Sequence, residues 1–205
     1  MHAMDTWLTD FLAPALRPSA DDRHIELLDG RRVAVQPVAP QDAVAERAFV
    51  DGLSLTSRYR RFHFGLRELS PEASRAMTEL DPAHEFAFVA RPSDDDKTIV
   101  ADARYVCQAD TADAEFAIAV ADAWQGAGLG RALLLRLATH ARSRGVQRLF
   151  GDVLWGNAAM LAVVRSLGGR WHRTGDATVV RVEIDLSEMA ADEVFFAPVA
   201  SPSRS

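Results

Sequence analysis

The segment at residues 125–130, Gln-Gly-Ala-Gly-Leu-Gly, limits what this chain can fold into more than any other part of the sequence. Three glycines stand there between a predicted strand at 115–120 and a predicted helix at about 128–144, in which Leu129 and Leu133 begin an apolar repeat of four residues. The first N–H groups of such a helix are free, and the helix dipole adds positive charge, so the turn suits a phosphate or pyrophosphate. The alternative is a tight turn that binds nothing. The glycines alone leave both readings open.

Two familiar phosphate-binding loops do not match this segment. A dinucleotide fingerprint, G-x-G-x-x-G, would need its last glycine where Arg131 stands. A nucleoside triphosphate loop needs Gly-Lys followed by Ser or Thr, a string that the sequence does not contain. The pattern therefore favours a pyrophosphate site of a third kind.

Strands and helices alternate through the rest of the chain. We predict helices at 40–53, 70–80 and 157–167, and strands at 32–36, 85–90, 98–107, 148–153, 171–174 and 179–186. Hairpins mixed with helical crossovers predict an α+β (mixed α/β) fold, with a central twisted mixed sheet of about six to seven strands and helices on both faces.

The sequence predicts one domain with a peripheral segment at each end. Residues 1–23 form the N-terminal segment, 24–186 the domain and 187–205 the C-terminal tail. The tail carries the apolar run Val-Phe-Phe at 194–196, which we expect to dock on the domain or on a neighbouring subunit. A homodimer is therefore one arrangement that the sequence allows.

Charge and cysteine content bear on compartment and partners. A net charge of −6 argues against nonspecific binding to nucleic acid and suits cationic partners such as amines. Cys107 is the only cysteine, so the chain forms no internal disulfide. No stretch approaches the roughly 20 apolar residues of a membrane helix, and the start lacks the basic leader of a secretory signal. We expect a cytoplasmic protein that works without a membrane.

Residues 125–130 resemble the Q/R-x-x-G-x-G/A motif of the GNAT N-acetyltransferase family at every fixed position. About 30 residues later, Asn157 opens a predicted helix that ends in Leu167-Gly168, similar to the second signature of that family. The resemblance covers roughly residues 31–186. The string at 57–62, Ser-Arg-Tyr-Arg-Arg-Phe, resembles the entry segment of the bacterial protein-lysine acetyltransferases within the family.

The resemblance implies acetyl-CoA as acyl donor, with strand backbone against its pantetheine arm and the turn around its pyrophosphate. The alternative for Arg131 is an exposed helix arginine, and the alternative for Asn157 is a plain N-cap. The predicted cofactor-binding residues are Ile118, Ala119, Val120, Gln125, Gly126, Ala127, Gly128, Leu129, Gly130, Arg131 and Asn157.

Acetylation of an amine needs a base that takes the ammonium proton. Glu115, at the start of a strand that we expect to be half-buried, is the first candidate by resemblance, and the alternative is a strand-end carboxylate that points into water. His84 is the second candidate. The tyrosine that often serves the family as acid is absent, because Val164 stands at its position. No pair of histidines has the spacing of metal ligands, so we predict no metal.

The predicted function is acetyl transfer from acetyl-CoA to a primary amine, either a protein lysine or a small molecule, by direct transfer in a ternary complex. Acceptors of another type, such as an amino-acid α-amine or an antibiotic, remain open. An alternative from another class is a GNAT-fold module that binds acyl-CoA as a sensor or scaffold without turnover.

Overall fold

A computed structural model describes residues 23–187 and Met189. The expectations for the N-terminal segment and for the apolar run at 194–196 lie outside the described residues. Within 23–187 and Met189, no helix is long and apolar enough to cross a membrane.

Eight strands form one sheet in the order β1-β2-β3-β4-β5-β6-β8-β7. Every neighbouring pair is antiparallel except β5 with β6, which run parallel. The strands are β1 (His24–Glu26), β2 (Arg32–Pro37), β3 (Glu85–Pro92), β4 (Ala101–Cys107), β5 (Asp113–Val120), β6 (Arg148–Leu154), β7 (Arg170–Arg173) and β8 (Val179–Asp185).

The mixed α/β fold is confirmed, and the predicted strand count was low by one. The extra strand, β1, forms a hairpin with β2, and Gly30 adopts a positive φ of 82° in the turn between them. Three residues are too few to show the alternation by which the other strands were predicted.

The helices are α1 (Ala43–Gly52), α2 (Leu55–Phe62), α3 (Pro71–Ala76), α4 (Leu129–Ser143) and α5 (Ala158–Ser166). Helix α2 was not predicted, because its sequence is mostly polar and its three apolar residues at helical spacing, Leu55, Tyr59 and Phe62, are too few to indicate a helix that faces the core. It begins at the N-cap Ser54, whose side chain accepts a hydrogen bond from the N–H of Ser57. Helix α3 ends at Ala76, earlier than the predicted residue 80.

Helices cover both faces of the sheet. On one face α4 buries Leu133, Leu134 and Leu137 completely, and each such leucine contributes about 2 kcal/mol relative to an exposed one. On the other face α1 packs Phe49 and Val50 around Val89 of β3. The predicted leucine repeat of α4 is confirmed, and it holds the glycine turn at the edge of a rigid core.

Candidate active site

A gap opens in the middle of the sheet between β5 and β6. The two strands pair only from Asp113 to Glu115 on β5, opposite Arg148 to Phe150 on β6, and they separate beyond that point. On its other side β5 pairs with β4 along its whole length. At the closed end Gly151 allows the close approach of the strands, because a Cβ there would lie 3.0 Å from the carbonyl oxygen of Phe116. The gap thus begins at Glu115 and widens toward the glycine turn.

The hydrogen bonds of β5 show which backbone groups face this gap. The N–H of Ala121 donates to Val100 and the carbonyl of Asp113 accepts from Gln108, so the odd-numbered residues of β5 bond to β4. By alternation, Ile118 and Val120 direct their N–H and C=O groups toward the gap. Ala119 directs its backbone groups to β4 instead, opposite Asp102. Of the three strand residues predicted to meet the pantetheine arm, two have backbone groups aimed into the gap.

The glycine turn closes the wide end of the gap. Gly126 and Gly128 adopt positive φ angles of 77° and 88°, and α4 begins directly after Gly128. A Cβ on Gly126 would meet no atom within 4 Å, so the turn borders open space. Among the described residues, no hydrogen bond uses the backbone N–H groups from Gly126 to Arg131. Consecutive free donors at a helix start fit a pyrophosphate.

Three predicted cofactor residues have side chains engaged within the protein. Gln125 donates from Nε2 to the carbonyl of Val120, 2.9 Å away, and to Ser57 Oγ, 3.1 Å away. Arg131 donates from Nε to Ser166 Oγ on α5 at 3.1 Å. Asn157 caps α5, its Oδ1 accepting from the N–H of Met160 at 3.3 Å. Their contact with a cofactor stays a prediction.

Glu115 lies at the closed end of the gap. The residue is exposed, as in the alternative of a strand-end carboxylate that points into water, although the rest of β5 is buried or half-buried. Val106 of β4 stands opposite it on one side and Phe150 of β6 on the other. The carboxylate also interacts electrostatically with Arg61 of α2 and with Arg181 of β8. It is therefore open to solvent, with apolar side chains of the neighbouring strands on either side.

His84 lies at the same end of the sheet but farther from the gap. It precedes β3, and its neighbour Glu85 stands opposite Val106, two strand spacings or about 10 Å from Glu115. The imidazole is exposed, and its Nδ1 lies 2.9 Å from Asp81 Oδ2. The structure does not bring the two predicted bases together.

A buried charged cluster lies beneath the same face of the sheet. Glu46 of α1 and Asp102 of β4 are 0% and 1% exposed. Arg104 bridges them, with its Nη2 at 3.4 Å from Glu46 and 2.6 Å from Asp102, and Arg61 lies 4.0 Å from Asp102. Burial, with a second contribution from Asp102, raises the pKa of Glu46 to about 8. The sequence analysis did not identify this cluster. The available signal was the pair Asp102 and Arg104, two charged residues on one face of a strand that is otherwise buried.

Comparison with known proteins agrees with this geometry. A family model described as the acetyltransferase (GNAT) family matches residues 53–168, more than half of the chain. An acetyltransferase of Pseudomonas aeruginosa is 32% identical over 157 residues, which make up 76% of this chain and 84% of that protein.

Two further similar proteins carry related names. The acetyltransferase Pat of Mycolicibacterium smegmatis is 33% identical over 177 residues, 85% of this chain and 51% of the relative, so this chain spans about half its length. Among solved structures, the GNAT domain of S. lividans PAT matches with a TM-score of 0.72 and 30% identity, over 79% of this chain and 95% of that one.

Proposed function

The chain belongs to the GNAT acetyltransferase family, whose members take acetyl-CoA as acyl donor, and on that premise we propose that it acetylates a primary amine by direct transfer in a ternary complex. The acceptor is a protein lysine or a small-molecule amine. One observation carries the proposal, namely the gap that leads from the free N–H groups of the glycine turn to the carboxylate of Glu115.

The length of this gap suits an extended arm held at one end by its phosphates. Val120, next to the turn, and Glu115 are five residues apart on β5, which is about 16 Å along an extended strand. The backbone groups of Ile118 and Val120 border that path. A donor anchored at the turn thus has its reactive end at Glu115, while the strand edge between them offers hydrogen bonds along the way.

Acetyl-CoA supplies a thioester carbonyl that a neutral amine attacks. Glu115 accepts the ammonium proton, directly or through water, which its exposure allows. Val164, at the position of the family's frequent tyrosine acid, is completely buried and apolar. The leaving thiolate therefore takes its proton from solvent.

Direct transfer is favoured over a covalent intermediate on Cys107. This residue, the only cysteine of the chain, packs against the core on the α4 face of the sheet. Glu115 lies on the opposite face, because side chains alternate between the two faces of a strand and the residues on either side of Glu115 belong to that core. Burial also raises the pKa of the Cys107 thiol, which disfavours the reactive thiolate.

A row of carboxylates and apolar side chains that includes Glu115 supports an amine acceptor, alongside the electrostatic interaction of Glu115 with Arg181. The register of the sheet aligns Glu85, Glu115 and Glu183 in one row, with Val106 and Phe150 between them. Carboxylates alternating with apolar side chains suit an ammonium group on an aliphatic stem. Both a lysine side chain and a small alkyl amine have that form.

The test combines calorimetric titration with acetyl-CoA and an assay of thiol release over a panel of free amino acids, alkyl amines, aminoglycosides and lysine peptides. We expect saturable binding, and thiol release that depends on an amine. Binding without release for any amine would favour the acyl-CoA sensor, for which Val164 in place of the acid is the supporting observation. Absence of binding would contradict both functions.

A further inference from the structure

The turn between β1 and β2 (residues 27–31) packs against the glycine turn. The N–H of Leu28 donates to the carbonyl of Ala127 at 3.1 Å. A Cβ on Gly128 would lie 3.5 Å from Leu28 Cδ1, so the side chain of Leu28 also borders the start of α4. In the sheet, β1 and β2 lie on the opposite side of β5 from the gap. The β1–β2 turn therefore supports the glycine turn from the side away from the gap.

Arg31, at the end of the β1–β2 turn, makes a second connection. Its Nη1 donates to the carbonyl of Ala123 at 2.9 Å, across 92 positions of the sequence. Its guanidinium lies over the ring of Trp124, 4.1 Å from the ring centroid. Ala123 and Trp124 come directly before residues 125–130. The β1–β2 turn thus contacts this part of the chain both at the approach to the glycines and between them.

The β1–β2 turn is itself ordered by internal hydrogen bonds. The N–H of Gly30 donates to the carbonyl of Leu27 at 2.9 Å, which closes a β-turn with Leu28 and Asp29 at its centre. Asp29 accepts from Nε and from the N–H of Arg31 at 2.8 and 3.1 Å. These bonds lower the pKa of Asp29, so it is a carboxylate at neutral pH and orients the guanidinium. Leu27, which is 5% exposed, anchors the turn in the core.

The hydrogen bond from Leu28 fixes the direction of one donor of the glycine turn. A trans peptide unit is planar, and its C=O and N–H groups point in opposite directions. The carbonyl of Ala127 and the N–H of Gly128 belong to one such unit, which is trans. Because the carbonyl is bonded to the β1–β2 turn, the N–H of Gly128 points away from that turn. This N–H donates to no group among the described residues.

We propose that Leu28 and Arg31 are positioning residues of the cofactor site, which hold the peptide unit between Ala127 and Gly128 so that its N–H donates to the pyrophosphate of acetyl-CoA. A donor that is oriented before the ligand arrives binds more tightly, because less freedom is lost on binding. The inference rests on the proposed function, since a pyrophosphate reaches the turn only with acetyl-CoA as donor. It depends neither on Glu115 nor on the acceptor.

The test compares Leu28→Pro with Leu28→Ala by calorimetric titration with acetyl-CoA. Leu28 is the second residue of its β-turn, and neither it nor Asp29 has a positive φ, as in a type I turn. Proline is favoured at that position, so Leu28→Pro deletes the N–H donor and keeps the turn. Leu28→Ala removes the same side chain, which is 51% exposed, and keeps the N–H. The Kd should rise about tenfold in Leu28→Pro, because a hydrogen bond to a charged group is weakened, and less than twofold in Leu28→Ala.

A second ligand separates positioning from general support of the fold. Acetyl-pantetheine carries the thioester and the pantetheine arm but no phosphate, so it makes no use of the N–H of Gly128. Its Kd should be the same, within twofold, in the wild type and in both Leu28 variants. The kcat at saturating acetyl-CoA should also stay within twofold of the wild type, because the reacting groups are not displaced.

Arg31 provides an independent pair of variants should Leu28→Pro fold poorly by thermal melting. In Arg31→Ala the Kd of acetyl-CoA should rise about threefold, and that of acetyl-pantetheine should not change. Arg31→Lys should resemble Arg31→Ala, because a single ammonium group cannot keep the bonds to Asp29 and Ala123 and the position over Trp124 together. A wild-type Kd in Arg31→Lys would mean that Arg31 acts through its charge alone, which contradicts a positioning role.

The possible failures point to different errors. If the wild type binds acetyl-CoA and a folded Leu28→Pro binds it as tightly as Leu28→Ala does, the positioning role is wrong and the proposed function stands. The same holds if Leu28→Pro weakens acetyl-CoA and acetyl-pantetheine equally, because the turn then supports the fold and not the pyrophosphate site. If the wild type does not bind acetyl-CoA, the proposed function fails and the positioning role fails with it.

Discussion

Glu46 offers a measurable consequence of the buried charged cluster. Its side chain is 0% exposed, its Oε1 lies 3.4 Å from Arg104, and its Oε2 has no hydrogen-bond partner within the described residues. Burial and the neighbouring Asp102 raise its pKa from 4.5 to about 8, against the opposing effect of Arg104 and Arg61. At neutral pH the native state therefore keeps the proton that the unfolded chain releases.

The sign of the effect follows from that difference. The raised pKa means that the native state binds more protons than the unfolded state between pH 4.5 and about 8, so the free energy of unfolding falls as the pH rises through this window. The free energy of unfolding falls by about 1.4 kcal/mol per pH unit as long as Glu46 is protonated in the native state and ionised in the unfolded state. Between pH 6.5 and 8, as the native group begins to ionise, the loss should be about 1.5 kcal/mol.

The perturbation is Glu46→Gln, which has nearly the shape of the protonated acid and no proton to lose. Urea denaturation at pH 6.5, 7, 7.5 and 8 should show the stability difference between variant and wild type moving in favour of the variant by about 1.5 kcal/mol across this range. His140 also titrates near this window, because burial lowers its pKa from 6.5 to about 4 and stability rises as the unfolded imidazole loses its proton. Its contribution is common to variant and wild type and cancels in their difference.

The matched control is Glu79→Gln, the same substitution at an exposed position. It should track the wild type at every pH. A Glu46→Gln variant whose stability also runs parallel to the wild type from pH 6.5 to 8 would refute the reasoning, because Glu46 would then ionise alike in both states.

Two further predictions concern the site. Gly128→Asp and Gly128→Asn are of equal size and are both strained by the positive φ of 88° at this position, so the comparison between them isolates charge. Calorimetry should show the Asp variant binding acetyl-CoA about tenfold more weakly than the Asn variant. Equal affinities would mean that no anion binds beside Gly128. Glu115→Gln should keep its acetyl-CoA affinity and lose on the order of 100-fold in kcat, and this loss should shrink as the pH rises because more of the amine is then already neutral. A pH–rate profile that runs parallel to the wild type and only a few-fold lower would mean that Glu115 is structural. His84→Gln in the same assay would then test the second candidate base.

Local sequence signals were enough to predict the centre of the fold. The glycine turn, the leucine repeat of α4 and the strand before it are decided by residues close in sequence. Gly126 and Gly128 adopt positive φ angles in that turn, a conformation that glycine reaches more readily than other residues. The register that makes β5 part from β6 after Glu115 is set by pairing across the whole sheet, and no short segment encodes it.

The elements that sequence reasoning missed depend on contacts between distant segments. Helix α2 begins at Ser54, whose N–H donates to Asp122, and it is held by the bonds of Arg58 to carbonyls outside the helix. Gln125 was predicted as a cofactor residue by its motif position, and its bond to Ser57 could not be foreseen because α2 was not predicted. The ring of His140 stacks on Phe86 at 3.5 Å between centroids, a contact across 54 positions that no local pattern indicates.

Acetyl transfer itself is tested by two readings on one reaction. A lysine peptide is incubated with acetyl-CoA and the protein, the thiol released is titrated, and the mass of the peptide is measured in the same samples. Acetyl transfer to the amine predicts one added acetyl group per thiol released, in the wild type and at a much lower rate in Glu115→Gln. Thiol release without any gain in peptide mass, or acetyl-CoA binding without thiol release across the amine panel, would contradict it.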